Sequence, residues 1–167
     1  YGAVPGLTIA APMDELELRN MMYTGLQYGH PFMIRYPRGN GAGRLWRGVP
    51  FEALPVGRGR RLREGTDVAL VTVGTVGNAA ARAAERAAEK GVSVAHYDLR
   101  FAKPLDEALL AEVGAKFRHV VTVEDGSLRG GVGEAVTAFF NARGCEVAVH
   151  SLGIGDEWVE HGTPALL

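Results

Sequence analysis

Cysteine is almost absent from this 167-residue sequence: with Cys145 alone, neither an internal disulfide nor a cysteine metal cluster can form. No apolar run approaches the roughly 18 residues that are needed to span a bilayer. The formal net charge is −1, so nothing in the composition favours a nucleic-acid partner or an anionic membrane. We therefore predict no nucleic-acid or membrane partner, and the low cysteine content is typical of the reducing cytoplasm.

Short catalytic and metal-binding motifs are also missing. None of the five histidines forms a His-x-x-x-His pair or another short ligand spacing, which argues against a metal site. No Gly-x-Ser-x-Gly nucleophile motif occurs. Glu124 and Asp125 are adjacent on a predicted strand, so their side chains should point to opposite faces and make a poor acid/base pair. The sequence does not begin with Met, and we expect a fragment or a processed piece of a longer protein.

What is present begins with a β-α-β unit. Leu7–Ala10 and Pro31–Tyr36 are predicted strands, and the crossover between them makes them parallel. The helix between them should start at Asp14, with Glu17 reaching back in a capping box, and should end at Gly29. Its predicted buried face follows helical spacing and consists of Leu18, Met21, Met22 and Leu26.

A second unit follows a glycine- and proline-rich segment that we interpret as a linker, with Trp46 and Phe51 anchoring it to a domain. Apolar runs then alternate with three helical patterns, the first of which should be capped by Thr75. The predicted strands are Asp67–Gly74, Val92–Arg100, His119–Asp125 and Glu146–Ile154. This alternation predicts an α/β fold with a mostly parallel sheet flanked by helices.

The stretch "MIRYPRGNG" (Met33–Gly41) is the best candidate for a binding site. Arg35 and Tyr36 should face oppositely, while Pro37 stiffens the chain so that Arg38 projects from a rigid corner. Gly39 allows a ligand to approach the backbone, and a guanidinium matches phosphate oxygens in a bidentate way. Solvated or ion-paired arginines at a strand end explain the same residues, so from the residues alone both interpretations stay open.

A second glycine-rich turn, in "EDGSLRGGVGEA" (Glu124–Ala135), joins a strand to a helix, and such a turn can hold a phosphate on helix amides. It lacks the Lys-Ser/Thr pair of a P-loop and does not match Gly-x-Gly-x-x-Gly. We favour a structural role, in which Gly130, Gly131 and Gly133 permit a tight turn and close packing.

Six segments taken together resemble a known family. They are "APMDELELRNMMYTGL", "IRYPRGNG", "LPVGRGRRLREGTDVALVTVGT", "DLRFAKPLDEALL", "VTVEDGSLRGGVGEAV" and "GIGDEWVEHGT". In this order they resemble the C-terminal third of the 1-deoxy-D-xylulose-5-phosphate synthases, a family of transketolase-like enzymes. The opening "YGAVPGL" departs from that family's usual pattern.

This resemblance implies a domain organisation. Residues 1–40 would be the tail of a parallel, pyrimidine-binding-type domain, 41–55 a linker, and 56–167 a transketolase C-terminal-type domain. It also implies a cytoplasmic, homodimeric transferase that uses thiamine diphosphate and Mg²⁺, both bound mainly by parts of the enzyme outside this chain. The chain alone would then be inactive, and its partners would be the rest of the same enzyme and a second copy.

The implied reaction condenses pyruvate with D-glyceraldehyde 3-phosphate, releases CO₂, and feeds isoprenoid, thiamine and pyridoxal synthesis. By the resemblance, Arg38 contacts the phosphate of the acceptor aldehyde, Arg35 is structural, and the chain has no catalytic, cofactor-binding or metal-binding residue. Two alternatives stay open: the β-chain of a 2-oxoacid dehydrogenase, and a non-catalytic assembly module when the chain is isolated.

Overall fold

A computed structural model describes residues 2–162. The first unit consists of β1 (Thr8–Ala10), α1 (Glu15–Tyr28) and β2 (Phe32–Ile34). The two strands pair in parallel, with Ile9 opposite Met33, so the predicted β-α-β unit is confirmed. The second strand is shorter than predicted: it ends at Ile34, and one further backbone hydrogen bond, from Arg35 to Ala10, follows it.

The first turn of α1 is held by two carboxylates. Asp14 accepts a hydrogen bond from the amide of Glu17 at 2.8 Å, as a capping residue should. The Glu17 carboxylate reaches back to the amide of Met13 at 2.9 Å, one residue before the amide that a capping box would use. Gly29 ends the helix in the left-handed conformation, with a φ of 71°.

The predicted apolar face of α1 is wrong for two of its four residues, and Leu18 is half-buried. Met21 is fully buried, but Met22 and Leu26 are exposed, the latter at 87%. The residues buried with Met21 are polar, namely Glu17, Asn20 and Thr24. They are buried because they hydrogen-bond to backbone and to arginine side chains that pack on this side of the helix, which a count of apolar residues does not detect.

The second unit is built on a five-stranded sheet with the strand order β3-β5-β4-β7-β8. The strands are β3 (Arg60–Arg63), β4 (Val68–Val73), β5 (Val94–Asp98), β7 (His119–Ser127) and β8 (Ala148–Ile154). Four of them run parallel, and β3 is an antiparallel edge. The helices are α2 (Val76–Ala88), α3 (Glu107–Lys116) and α4 (Val132–Ala142). The predicted mostly parallel sheet with flanking helices is confirmed.

Helices cover both faces of this sheet. Alternate residues of β4 enter different apolar clusters, as the pleat of a strand requires. Val71 packs with the side chains of α3 and α4, among them Val113, Val136 and Phe140. Leu70 packs instead with Ala80 and Ala84 of α2. The core of the unit is therefore divided into two layers by the sheet.

Two strands were not predicted. Strand β3 consists of "RRLR", and because three of its four residues are charged it shows no apolar pattern. Strand β6 (Phe101–Lys103) follows β5 in the chain but leaves the large sheet and pairs antiparallel with β1, with Phe101 opposite Ala10. The first unit is thus a three-stranded sheet of order β2-β1-β6, in which one strand comes from the second unit.

The segment between the units has no regular structure but lies on α1. The Arg19 guanidinium donates to the carbonyls of Trp46, Val49 and Pro50 at 2.6–2.8 Å. Phe51 stacks against Tyr23, with ring centroids 5.3 Å apart. Phe51 therefore anchors the segment through its ring, whereas Trp46 does so through its carbonyl.

Other predicted details have mixed outcomes. Thr75 lies at the start of α2, but its side chain makes no capping hydrogen bond. The division at 41–55 stays a prediction, and the last five residues of the predicted third domain lie outside the described residues. Within residues 2–162, no helix has both the length and the hydrophobicity that crossing a membrane demands.

Candidate functional site

Arg38 lines a cleft with a volume of about 890 Å³. The walls come from three parts of the chain. These are the loop and first turn leading into α1, the segment 36–42 after β2, and the start of α2, including Thr75, Asn78 and Arg82. The cleft thus lies where both units meet, at the carboxyl end of β2, a common place for ligands in open α/β sheets.

The backbone before Arg38 is fixed, and its side chain is not. The amide of Arg35 donates to the carbonyl of Ala10 at 2.8 Å and extends the β1–β2 pairing by one residue. Pro37 then limits the backbone, and Gly39 has a φ of 142°, a value that only glycine adopts readily. The Arg38 side chain is exposed, and no hydrogen bond or ion pair within residues 2–162 involves it. Its guanidinium is free to meet an anion in the cleft.

Arg35 has a different environment. Its guanidinium lies 3.8 Å from the carboxylate of Asp125 at the end of β7, and both side chains are about half exposed. The pair borders a small cleft of about 40 Å³ that Val73 and Gly74 at the end of β4 also line. An ion pair across the two units favours the structural interpretation of Arg35. Arg38 has no such partner among residues 2–162 and shares its cleft with a second exposed arginine, Arg82.

A buried charge cluster, formed by Glu17, Arg60, Asp98 and Arg100, joins the units beside this region. Arg60 bonds to Glu17 at 2.8 Å and to Asp98 at 3.1 Å. Arg100 bonds to Glu17 through its side chain at 2.6 Å and to Asp98 through its amide at 3.1 Å. Asp98 is fully buried and Glu17 nearly so. Every buried carboxylate of the cluster therefore has arginine or amide donors.

The pKa values of Asp98, within the charge cluster, and of His96, beside it, are shifted in opposite directions. Burial, and then the negative charge of Glu17, raises the pKa of Asp98 to about 6, although Arg60 opposes the change. Burial, and then the positive charge of Arg60, lowers the pKa of His96 to about 4. The neutral His96 ring is hydrogen-bonded to the hydroxyl of Thr72 at 2.9 Å.

The glycine-rich turn before α4 is occupied by a side chain of the protein. The Glu124 carboxylate accepts hydrogen bonds from the amides of Val132 and Gly133 at 2.9 and 2.8 Å. A Cβ atom on Gly131 would collide with that carboxylate. The amides that could have held a phosphate are thus satisfied internally, and a structural role explains the glycines.

The charge cluster was missed by sequence reasoning. The sequence pattern indicates only a helix-capping role for Glu17 and no role for Arg60 or Arg100. The available signal was the density of arginines in "GRGRRLR" next to a predicted strand that ends in "YDLR". Pairing of β3 with β5, with Arg60 opposite Asp98, brings those charges together.

Comparison with known proteins gives consistent results. Residues 57–167 match the family described as "Transketolase, C-terminal domain". The chain is 54% identical over 162 residues to the 1-deoxy-D-xylulose-5-phosphate synthase of Bacteroides fragilis, covering 96% of the chain and 25% of that protein. It is 43% identical over 167 residues to the enzyme of the same name from Symbiobacterium thermophilum, covering 98% of the chain and 25% of that protein.

A solved structure described as "Split gene transketolase, inactive beta4 tetramer" is also similar. Its TM-score is 0.83 at 28% identity, and the match covers 93% of this chain and 50% of the other. The resemblance inferred from the sequence motifs is therefore confirmed. The chain spans about a quarter of the length of the curated relatives that it matches.

Proposed function

The chain belongs to the transketolase C-terminal domain family, and on that premise we propose that the full-length protein is a 1-deoxy-D-xylulose-5-phosphate synthase. It would condense pyruvate with D-glyceraldehyde 3-phosphate and release CO₂, supplying precursors of isoprenoids, thiamine and pyridoxal. The identity of 43–54% to synthases of that name, over nearly the whole chain, supports this reaction. A homodimer in the cytoplasm is part of the same proposal.

Thiamine diphosphate, when bound, supplies the carbanion chemistry of such a reaction. Residues 2–162 contain no group of three or more His, Cys, Asp or Glu side chains that could hold a metal ion. Because the chain spans about a quarter of its curated relatives, we assign thiamine diphosphate and Mg²⁺ to parts of the enzyme outside this chain and derive no step through them. This chain contributes substrate binding at the Arg38 cleft.

Arg38 is proposed to bind the phosphate of the acceptor aldehyde. Its free guanidinium, in a cleft of about 890 Å³ at a strand end, is the observation that carries this role. The phosphate is remote from the reacting carbonyl. Its binding energy can therefore hold the aldehyde in an orientation that favours reaction.

Replacing Arg38 by alanine tests this role in the full-length enzyme. Arg38→Ala should raise the acceptor KM and reduce kcat/KM by about 2–3 kcal/mol, on the order of 30- to 150-fold, because a charged phosphate contact is lost. The KM for pyruvate should not change. Arg44→Ala is the matched control, since Arg44 is exposed on the same segment and does not line the cleft. Equal kinetics of Arg38→Ala and wild type with the phosphorylated aldehyde would refute the assignment.

The isolated chain is proposed to be inactive. The similar solved structure is described as an inactive tetramer of a split-gene transketolase, and this description supports the proposal. Titration calorimetry with thiamine diphosphate and Mg²⁺ should detect binding to the full-length protein and none to the isolated chain. Binding by the chain alone would contradict the assignment of the cofactor to other parts of the enzyme.

A further inference from the structure

The loop that follows Arg38 has little intrinsic order. Residues 39–45, "GNGAGRL", are exposed and contain three glycines, of which Gly39 and Gly43 have positive φ values. Such a sequence gains much conformational freedom when it is not held. A guanidinium at the start of this loop binds an anion well only if something else fixes the backbone that carries it.

The Glu15 carboxylate holds this loop. The amide of Gly43 donates to Oε1 of Glu15 at 2.8 Å, and the amide of Arg44 donates to Oε2 at 3.2 Å. One carboxylate thus binds two successive amides with its two oxygens, which is a charge-assisted arrangement. Within residues 2–162, these are the hydrogen bonds that the structure gives to the backbone of 39–45.

Gly41 is shaped to this contact. A Cβ atom at position 41 would collide with the carboxyl group of Glu15, so a larger residue there would displace the carboxylate from the loop. Hydrogen bonds from the backbone, first from the amide of Glu15 itself and then from that of Gly43, lower the pKa of the Glu15 carboxyl. The anionic form that accepts both loop amides is the form that predominates near neutral pH.

The contact is continued along α1. Glu15 is the first residue of the helix, and Arg19, one turn later, binds the carbonyls of Trp46 and Val49. Residues four apart lie on the same face of a helix. This face therefore fixes the chain beyond Arg38 at two successive points, a carboxylate on amides and then a guanidinium on carbonyls.

We propose that Glu15 is a positioning residue for the acceptor phosphate, acting through the loop that carries Arg38. This inference rests on the role proposed above for Arg38. Glu15 lines the same cleft, and its negative charge would by itself repel a phosphate. Removal of the carboxylate should therefore raise the acceptor KM if Glu15 positions the loop, and lower it if Glu15 acts only by repelling the phosphate.

Kinetics of the full-length enzyme test the proposal. Glu15→Ala should raise the KM for D-glyceraldehyde 3-phosphate roughly tenfold, because two charge-assisted hydrogen bonds to the loop are lost. Glu15→Gln keeps one acceptor oxygen and should fall between Glu15→Ala and wild type. The pyruvate KM, and kcat/KM for unphosphorylated D-glyceraldehyde, should remain within about twofold of wild type, since neither depends on the phosphate contact.

Glu107→Ala is the matched control. Glu107 is likewise the first residue of a helix, and its carboxylate pairs with Arg143 away from the cleft. This variant should leave all these constants unchanged. Hydrogen exchange of the peptide spanning 39–45 should be faster in Glu15→Ala and unchanged in Glu107→Ala, which shows loss of loop order without depending on activity.

A double-mutant cycle separates the two proposals. If Glu15 acts through Arg38, Glu15→Ala adds little to the effect of Arg38→Ala. A lower acceptor KM in Glu15→Ala, equal losses with both aldehydes, or additive effects in the double variant would overturn the positioning role. A normal acceptor KM in Arg38→Ala would instead overturn the proposed function. Normal kinetics of Glu15→Ala beside an impaired Arg38→Ala would reject the positioning role alone.

Discussion

The two sheets of this molecule are stabilised in different ways. The large apolar cluster of the five-stranded sheet contains fourteen buried residues. The cluster of the three-stranded sheet contains four, and two of these, Leu54 and Phe101, come from the linker and from β6. At roughly 25 cal/mol per Å² of apolar surface, burial therefore contributes more to the large sheet, and half of the small sheet's cluster comes from segments attached to it.

What the small sheet has instead is a dense set of polar contacts. Helix α1 presents carboxylates, amides and hydroxyls to the backbone of the linker, and the charge cluster connects it to β3 and β5. Such contacts stabilise less per group than apolar burial, but they specify one geometry because each donor needs its acceptor. The unit that carries Arg38 is thus the one whose geometry is set by hydrogen bonds.

The largest expected effect comes from breaking the apolar side of this comparison. Phe140→Ala should lower the free energy of opening of the large sheet by about 3–5 kcal/mol, because Phe140 is fully buried against α3. Hydrogen exchange of β4 and β7 in the full-length protein measures it. Phe51→Ala is the control, since Phe51 is 62% exposed and should cost about 1 kcal/mol or less. Equal losses in the two variants would contradict the comparison.

The charge cluster should respond next. Arg60→Met removes a partner from two buried carboxylates and should cost about 3 kcal/mol, because uncompensated charge remains inside. Faster exchange in both α1 and β5 is the expected sign. Arg61→Met is the matched control on the same strand, where the ion pairs with Glu64 and Glu112 are exposed and worth at most about 1 kcal/mol. If Arg60→Met behaved like Arg61→Met, the cluster would not connect the units energetically.

The smallest expected effect is the pH dependence of stability in the region around β5. His96, whose pKa is lowered, contributes stability that is present above pH 6.5 and is lost as the pH falls through about 4. Asp98, whose pKa is raised, contributes stability that is present below pH 3.8 and is lost as the pH rises through about 6. Each effect is on the order of 3 kcal/mol at full extent, and because the two oppose each other between pH 4 and 6 the net change in stability is smaller.

Variants should separate the two slopes. In His96→Gln the remaining Asp98 should make the β5 region more stable on acidification, whereas in Asp98→Asn the remaining His96 should make it less stable. The measurement is hydrogen exchange of β5 from pH 4 to 7, corrected for the intrinsic exchange rate. Identical pH profiles in the two variants would contradict the raised pKa of Asp98 and the lowered pKa of His96.

The sequence predicted those parts of the fold that repeat a local pattern. The β-α-β unit, the alternating strands and helices, and the αL glycine after α1 all follow from spacing over a few residues. Strands β3 and β6 did not, because they are three or four residues long, carry charges, and owe their existence to partners far away in the chain. The apolar face of α1 failed for the same reason, since distant backbone groups decide which side is buried.

The candidate site divides in the same way. The corner at Pro37 and Arg38 is local, and its stiff backbone follows from the residues themselves. Glu15 lies 23 positions before Arg38, and nothing in its immediate sequence indicates that its carboxylate binds the loop at Gly43 and Arg44. A contact between a side chain and a remote part of the backbone produces no periodic pattern in the sequence, so only the structure reveals it.

Strand β6 has a consequence for cutting the molecule. Because β6 stays paired with β1 on the far side of the linker, a peptide bond hydrolysed between residues 41 and 55 leaves the two pieces joined through a sheet. We therefore expect that a protease cutting this segment does not separate the two pieces. Size-exclusion chromatography of a nicked sample should give one peak, although denaturing electrophoresis gives two bands.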